Sequence, residues 1–145
     1  MSTPPLPAPN DALPQPPARS LATRFAIALA AFLSFGPLTT ALGLLLGVLP
    51  KQFPAIQNLY AAGPIAQTVW IGAGVLGILT IVALLRTPRL AIVVCLAFAT
   101  VYVLGASWVW GRFTFGAWAA IAAVPLSVAA AVAESRRTRP ASANE

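Results

Sequence analysis

Four long apolar stretches dominate the chain, and charged residues are confined to the segments around them. The stretches cover residues 25–49, 65–85, 90–110 and 115–133. Each is close to the roughly 20 apolar residues that a helix needs to cross the hydrocarbon of a bilayer. Because no water is available there for backbone groups, each stretch is expected to be helical. The pattern therefore predicts an all-α fold, an integral membrane bundle of four transmembrane helices.

The links between these stretches differ in length. Residues 86–89 and 111–114 are short and polar, so the helices that they join are expected to be antiparallel neighbours. The segment 50–64 is longer, and Pro54 is a favourable first residue for a helix that Gly63 would end. Two interpretations stay open for this segment: a short helix at the membrane interface with its apolar side toward lipid, or an ordered loop.

Both ends of the chain are polar. Residues 1–20 contain seven prolines and few large apolar side chains, so we expect a disordered Pro-rich tail that serves as a spacer or as a docking ligand. Residues 135–145 form a second polar tail. The transmembrane domain is accordingly assigned to residues 21–134.

Basic residues are distributed unequally between the two sides of the predicted bundle. The side with both termini and the link 86–89 carries seven of them, and the opposite side carries two, Lys51 and Arg112. Lys and Arg are enriched in cytoplasmic loops. This asymmetry predicts an N-in/C-in topology, in which both tails are cytoplasmic. The seven basic residues are Arg19, Arg24, Arg86, Arg89, Arg136, Arg137 and Arg139.

Composition supports the membrane assignment and narrows the choice of partners. Of the 145 residues, 59% are apolar and 8% are charged, whereas soluble domains carry about 25% charged residues. The net charge of +6 does not indicate nucleic-acid binding, because the basic residues flank the apolar stretches and form no stripe interleaved with aromatic residues. Membrane lipid is the expected surrounding. The Arg-rich, Ala-rich composition suggests a multi-pass protein of a bacterial inner (plasma) membrane.

Residues that usually carry chemistry are missing from the apolar stretches. The chain has no histidine, which excludes haem and zinc sites that need histidine ligands. Cys95 is its one cysteine, so an intramolecular disulfide is also excluded. No ionisable Asp, Glu, Lys or Arg lies inside a stretch, although pumps and proton relays use such groups. We therefore expect no catalytic, cofactor-binding or metal-binding residues and no enzymatic activity.

Small residues mark candidate helix-packing positions. Gly43 and Gly47 form a GxxxG motif in the first stretch, and Ala73 and Gly77 repeat the same spacing in the second. Such spacings let helices approach closely. They are interpreted either as packing within the bundle or as a face for a partner.

Helix-breaking and polar residues suggest a further possibility. Gly36 and Pro37 in the first stretch and Pro125 in the fourth are candidate kinks, which would bend a helix or divide it into two half-helices. Kinked helices and hydroxyl side chains line the pathways of some transporters. The residues placed to line such a pathway are Thr39, Thr40, Gln67 and Thr68.

Two functional hypotheses follow from the sequence. In the first, the chain is a non-catalytic accessory or structural subunit that packs against a larger membrane protein or forms a homo-oligomer; replacing Gly43, Gly47 or Gly77 by Leu should then disrupt assembly. In the second, it is a small oligomeric channel or carrier for a neutral or weakly polar solute. Apolar replacement of Thr39, Thr40 or Gln67 should then abolish flux while assembly persists.

Overall fold

A computed structural model describes residues 19–137 and contains five helices in this part of the chain. Four of them are long and apolar enough to cross a membrane, which confirms the predicted all-α class and the four long apolar helices. No strand occurs within residues 19–137. The Pro-rich tail, residues 1–18, and residues 138–145 lie outside the described part. The helices are α1 (Leu21–Leu46), α2 (Pro54–Ala61), α3 (Gly63–Arg86), α4 (Pro88–Trp110) and α5 (Phe115–Arg137).

The four long helices are arranged as a ring in the order α1, α3, α4, α5. Each packs closely against its two neighbours in the ring. Across the diagonals, α3 and α5 touch over a small area, and α1 and α4 are separated. One end of the bundle, called the terminal end below, contains the start of α1, the link between α3 and α4, and the end of α5. The opposite end, called the α2 end, is covered by α2, which packs against α3 and α4.

The GxxxG pair of the first apolar stretch lies at the end of α1. Gly47 has φ +64°, in the left-handed region that glycine tolerates best. Its amide donates to the carbonyl of Leu44 (3.2 Å), and the amide of Val48 donates to that of Gly43 (3.0 Å). This pair of bonds is a Schellman cap, and Leu49 folds back over the site where Gly43 lacks a side chain. Within the described chain, these two glycines therefore form the end of a helix, and their packing against a partner stays a prediction.

Neither proline divides its helix. α1 is continuous through Pro37 and α5 through Pro125, so the two half-helices considered from the sequence do not form. Pro37 is buried, and its ring lies against Gly74 of α3. Beside it, the Thr39 and Thr40 hydroxyls donate to carbonyls of the preceding turn. These bonds reach the Phe35 and Gly36 carbonyls, whereas the carbonyl that lacks the proline amide is that of Leu33.

The segment between the first two long helices forms the predicted short helix, and the ordered loop is excluded. Its apolar side, however, faces the bundle in part, because Leu59 is almost fully buried at the α2 end. Gly63, expected to cap α2, has φ +84° and is already the first residue of α3. The positive φ lets the chain turn directly from one helix into the next.

Small residues fill the inside of the bundle, and large apolar residues cover its outside. Thirteen of the 21 buried apolar residues in the described part are alanines. Leu, Ile, Val and Phe side chains are exposed along all four long helices, as Phe32 (67%) and Leu104 (60%) illustrate. In water this arrangement would expose far more apolar surface than soluble proteins tolerate. It is the arrangement that close helix packing in an apolar solvent favours.

The tightest contact between helices joins α1 and α3. A Cβ atom at Gly77 would overlap the Ser34 hydroxyl of α1, and one at Gly74 would lie 3.0 Å from the Pro37 side chain. Gly77 thus lies at a close approach of two helices of the same chain. Ala73 is also completely buried. Gly74, which the small-residue spacing did not single out, supplies the second half of this contact.

We predict that Gly77→Ala destabilises the folded chain by about 1–3 kcal/mol, because the added methyl group must displace α1. Gly72→Ala is the matched control in the same helix, since a Cβ there meets nothing within 4 Å. The control should change stability by less than about 0.5 kcal/mol. Unfolding in detergent by titration with sodium dodecyl sulfate measures both. Equal stability of the two variants would contradict the close contact between α1 and α3.

Candidate functional site

Charged groups are rare in the described part of the chain, and Glu134 is its one acidic residue. It lies on α5 at the terminal end of the bundle. Its Oε1 atom accepts two hydrogen bonds, one from the Ser20 amide (3.3 Å) and one from the Thr23 hydroxyl (3.1 Å). Ser20, Thr23 and Glu134 are called the Glu134 cluster below. The cluster joins the beginning of the first helix to the end of the last.

Local sequence explains how the Glu134 cluster forms. Ser20 is the N-cap of α1, and its hydroxyl accepts from the Thr23 amide at 3.1 Å. A helix N-terminus carries partial positive charge, so a carboxylate is stabilised beside it. No sequence pattern indicated these two hydrogen bonds between α5 and α1, because the partners are more than 110 residues apart.

The residues proposed to line a pathway have their hydroxyl groups engaged within their own helices. Thr39 bonds to the carbonyls of Phe35 and Gly36, Thr40 to that of Gly36, and Thr68 to that of Pro64. Thr39 and Thr68 are exposed on the outside of the bundle, whereas Thr40 is buried and Gln67 is half-buried. None of the three hydroxyls bonds to another helix. A pathway along them remains a prediction.

Aromatic side chains occupy the interior toward the α2 end. The Trp70 ring lies 5.1 Å from that of Tyr102 and 4.8 Å from that of Trp110, and Phe98 packs on Tyr102 at 5.8 Å. Gly116 of α5 makes room for the Tyr102 hydroxyl, since a Cβ there would lie 2.5 Å from its oxygen. These rings fill the space between the helices. They account for the burial of Trp70.

A groove opens between α4 and α5 on the outside of the bundle. Its volume is about 510 Å³, within the range of small-molecule sites but open along one side. Thr100 contributes its polar group, and the hydroxyl donates to the Leu96 carbonyl at 2.9 Å. Pro125 has no amide hydrogen, so the carbonyl of Ile121, four residues earlier, lacks its usual helical donor. The lining residues are Leu96, Ala99, Thr100, Val103, Leu104, Ile121, Val124 and Pro125.

The arrangement of these groups offers packing surfaces and hydrogen bonds. Among residues 19–137, no three His, Cys, Asp or Glu side chains come together as a metal site would require. Cys95 is buried between helices as a free thiol. No protein-family model, curated protein or solved structure matches the chain.

We predict that Glu134→Ala lowers stability by about 1–2 kcal/mol, because it removes both hydrogen bonds that tie α5 to the start of α1. Glu134→Gln is the matched control, since its amide oxygen can still accept from Ser20 and Thr23. The glutamine variant should retain most of the stability in the same detergent titration. Equal losses in the two variants would contradict a contact made through the oxygen acceptor.

Proposed function

We propose that this chain is a non-catalytic multi-pass membrane protein, an accessory or structural subunit that packs against a membrane partner or against itself. The observation that carries the proposal is the inverted distribution of side-chain size, with alanine inside and large apolar residues outside. Such a surface requires lipid or the apolar helices of another protein around it. A bacterial inner membrane is the setting that the composition favours.

The proposed orientation places both termini in the cytoplasm. Five arginines of the described part are exposed at or near the terminal end, whereas Lys51 and Arg112 are exposed at the α2 end. The excess of basic residues marks the terminal end as the cytoplasmic one. Exposed aromatic rings at the α2 end would then lie at the level of the outer headgroups. Phe113 and Trp118 are two of them, with ring centroids 5.5 Å apart.

An accessory role agrees with the distribution of polar groups. Glu134 is engaged in joining two helices of the same chain, and the hydroxyl groups of the long helices bond largely to their own backbones. Polar groups held in this way stabilise a scaffold and leave little for chemistry on a substrate. The exposed apolar faces and the groove between α4 and α5 remain available for contacts with other helices.

A small oligomeric channel or carrier is the alternative, and it has less support. The interior of a single bundle is filled by alanines and by the rings of Trp70, Phe98 and Tyr102. A pathway would therefore need to form between several copies. Thr39 and Thr68, which are exposed, are the candidate residues for lining such a pathway.

We predict that a C-terminally tagged chain, purified from its native membranes in mild detergent, has a stoichiometric membrane protein partner or forms a defined homo-oligomer. Native mass spectrometry measures the assembly. An unrelated tagged multi-pass protein from the same membranes is the control for nonspecific association. A monomer without a companion would contradict the proposal, and a homo-oligomer that passes neutral solutes in liposomes would favour the channel or carrier.

Topology has a separate test. Single cysteines placed at Ser135 and at Gln52, in a chain with Cys95 replaced by alanine, should differ in their labelling by an impermeant maleimide. We expect the Gln52 position to be labelled in intact spheroplasts, since the α2 end is assigned to the outside. The Ser135 position should be labelled only after the spheroplasts are lysed. The opposite pattern would contradict the N-in/C-in topology.

A further inference from the structure

Each of the four long helices carries an exposed arginine at the terminal end of the bundle. These residues are Arg24 in α1, Arg86 in α3, Arg89 in α4 and Arg136 in α5. Because the four helices form a ring, the arginines are distributed around the terminal end. They are called the arginine belt below.

Each arginine of the belt continues the exposed apolar face of its own helix. In α3, α4 and α5 the residue four positions further into the helix is an exposed valine. In α1 the same spacing leads from Arg24 to Ala28 and then to Phe32, both exposed. The valines are Val82, Val93 and Val132. Residues four apart lie on one face of a helix, so each arginine marks where an apolar outer face ends.

The position at the end of an apolar face determines the depth of the charged groups. Arginine side chains near the ends of membrane helices place their stems along apolar surface and extend their guanidinium groups to the headgroups. The phosphate groups of phospholipids lie at this level. The belt therefore brings permanently charged donors to the phosphates around the terminal end.

The positive charge of the belt exceeds what the described part of the chain can neutralise. Glu134 is the one acidic residue among residues 19–137, and one carboxylate balances at most one of the four arginines. Its Oε1 atom is also engaged by Ser20 and Thr23. At least three positive charges of the belt therefore need anions from outside this part of the chain.

We propose that the arginine belt binds anionic phospholipids of the leaflet that surrounds the terminal end. Each guanidinium group donates hydrogen bonds to the oxygens of a lipid phosphate, a geometry that the planar guanidinium fits well. The acyl chains of the bound lipid lie along the apolar face below the arginine. The inference rests on the membrane insertion in the proposed function and adds the lipid class as a ligand.

Charge and apolar surface together select an anionic phospholipid over other ligands. A zwitterionic headgroup carries its own ammonium group, so it brings no net negative charge to offset the excess of the belt. A soluble anion such as inorganic phosphate brings the charge but covers none of the apolar face beside Arg24 or Arg89. Anionic phospholipids provide both parts, and basic segments next to membrane helices attract them.

Lipid binding to the unaltered chain is the first test. The full-length chain in a neutral detergent is titrated with phosphatidylglycerol or with phosphatidylcholine of the same acyl chains, and native mass spectrometry counts the bound lipids. We expect a dissociation constant about tenfold lower, or lower still, for phosphatidylglycerol. Equal affinities for the two lipids would overturn the proposal, and so would displacement of phosphatidylglycerol by an equal concentration of inorganic phosphate.

Paired substitutions test the location of the site. Arg86→Gln combined with Arg89→Gln removes two charges from the belt, and Arg24→Gln combined with Arg136→Gln removes the other two. Each pair should raise the dissociation constant for phosphatidylglycerol about tenfold to thirtyfold. Lys51→Gln combined with Arg112→Gln is the matched control, because it removes two exposed charges at the α2 end. An equal loss of affinity in the control would contradict a site at the terminal end.

The outcomes separate this inference from the proposed function. A chain that stays in membranes during alkaline carbonate extraction but does not prefer phosphatidylglycerol contradicts the lipid site alone. A chain that carbonate releases contradicts the membrane insertion on which both depend. Recovery of an acidic protein on the belt, lost in the Arg86 and Arg89 variant while lipid binding is unchanged, would overturn lipid as the ligand and would support an accessory role.

Discussion

Three helices meet at Gly77, and their contact depends on the absence of a side chain at this position. A Cβ atom there would meet Ser34 of α1 and, at 3.2 Å, the Phe98 ring of α4. Gly74 extends the same close approach by one turn toward Pro37. α1 packs against both α3 and α5, so its distance from α3 also affects how closely it can pack against α5. The arrangement of the bundle therefore follows from residue size along one face of α3.

Hydrogen bonding contributes in a different way, because the long helices have few polar side chains to bond with one another. Ser34, Thr80 and Ser127 are buried, and each donates to the carbonyl four residues earlier in its own helix. Such bonds satisfy a polar group in an apolar setting without specifying a neighbour. The Glu134 cluster is different, since it connects α5 with the start of α1. Close packing thus stabilises the contacts between helices in the middle of the bundle, and the Glu134 cluster stabilises the contact between α1 and α5 at its terminal end.

Sequence patterns predicted the long helices well and their contacts poorly, for one physical reason. An apolar stretch predicts a helix of spanning length, and α3 and α4 begin and end within two residues of the expected limits. Polarity does not distinguish the inner from the outer face when both are apolar, so Gly74 was missed. The GxxxG motif predicts close packing, within the bundle or with a partner, and the same spacing also occurs in a helix cap. Only the positive φ of Gly47 distinguishes the two.

The two prolines show how burial changes the consequence of one covalent feature. Pro37 lies inside the bundle, where its ring packs against Gly74 and the threonine hydroxyls beside it bond to the preceding carbonyls. Pro125 lies on the outside, among the residues that line the groove between α4 and α5. Each proline removes one helical donor, and the two differ in their surroundings, because α3 covers Pro37 whereas Pro125 lies on the outer surface of the bundle.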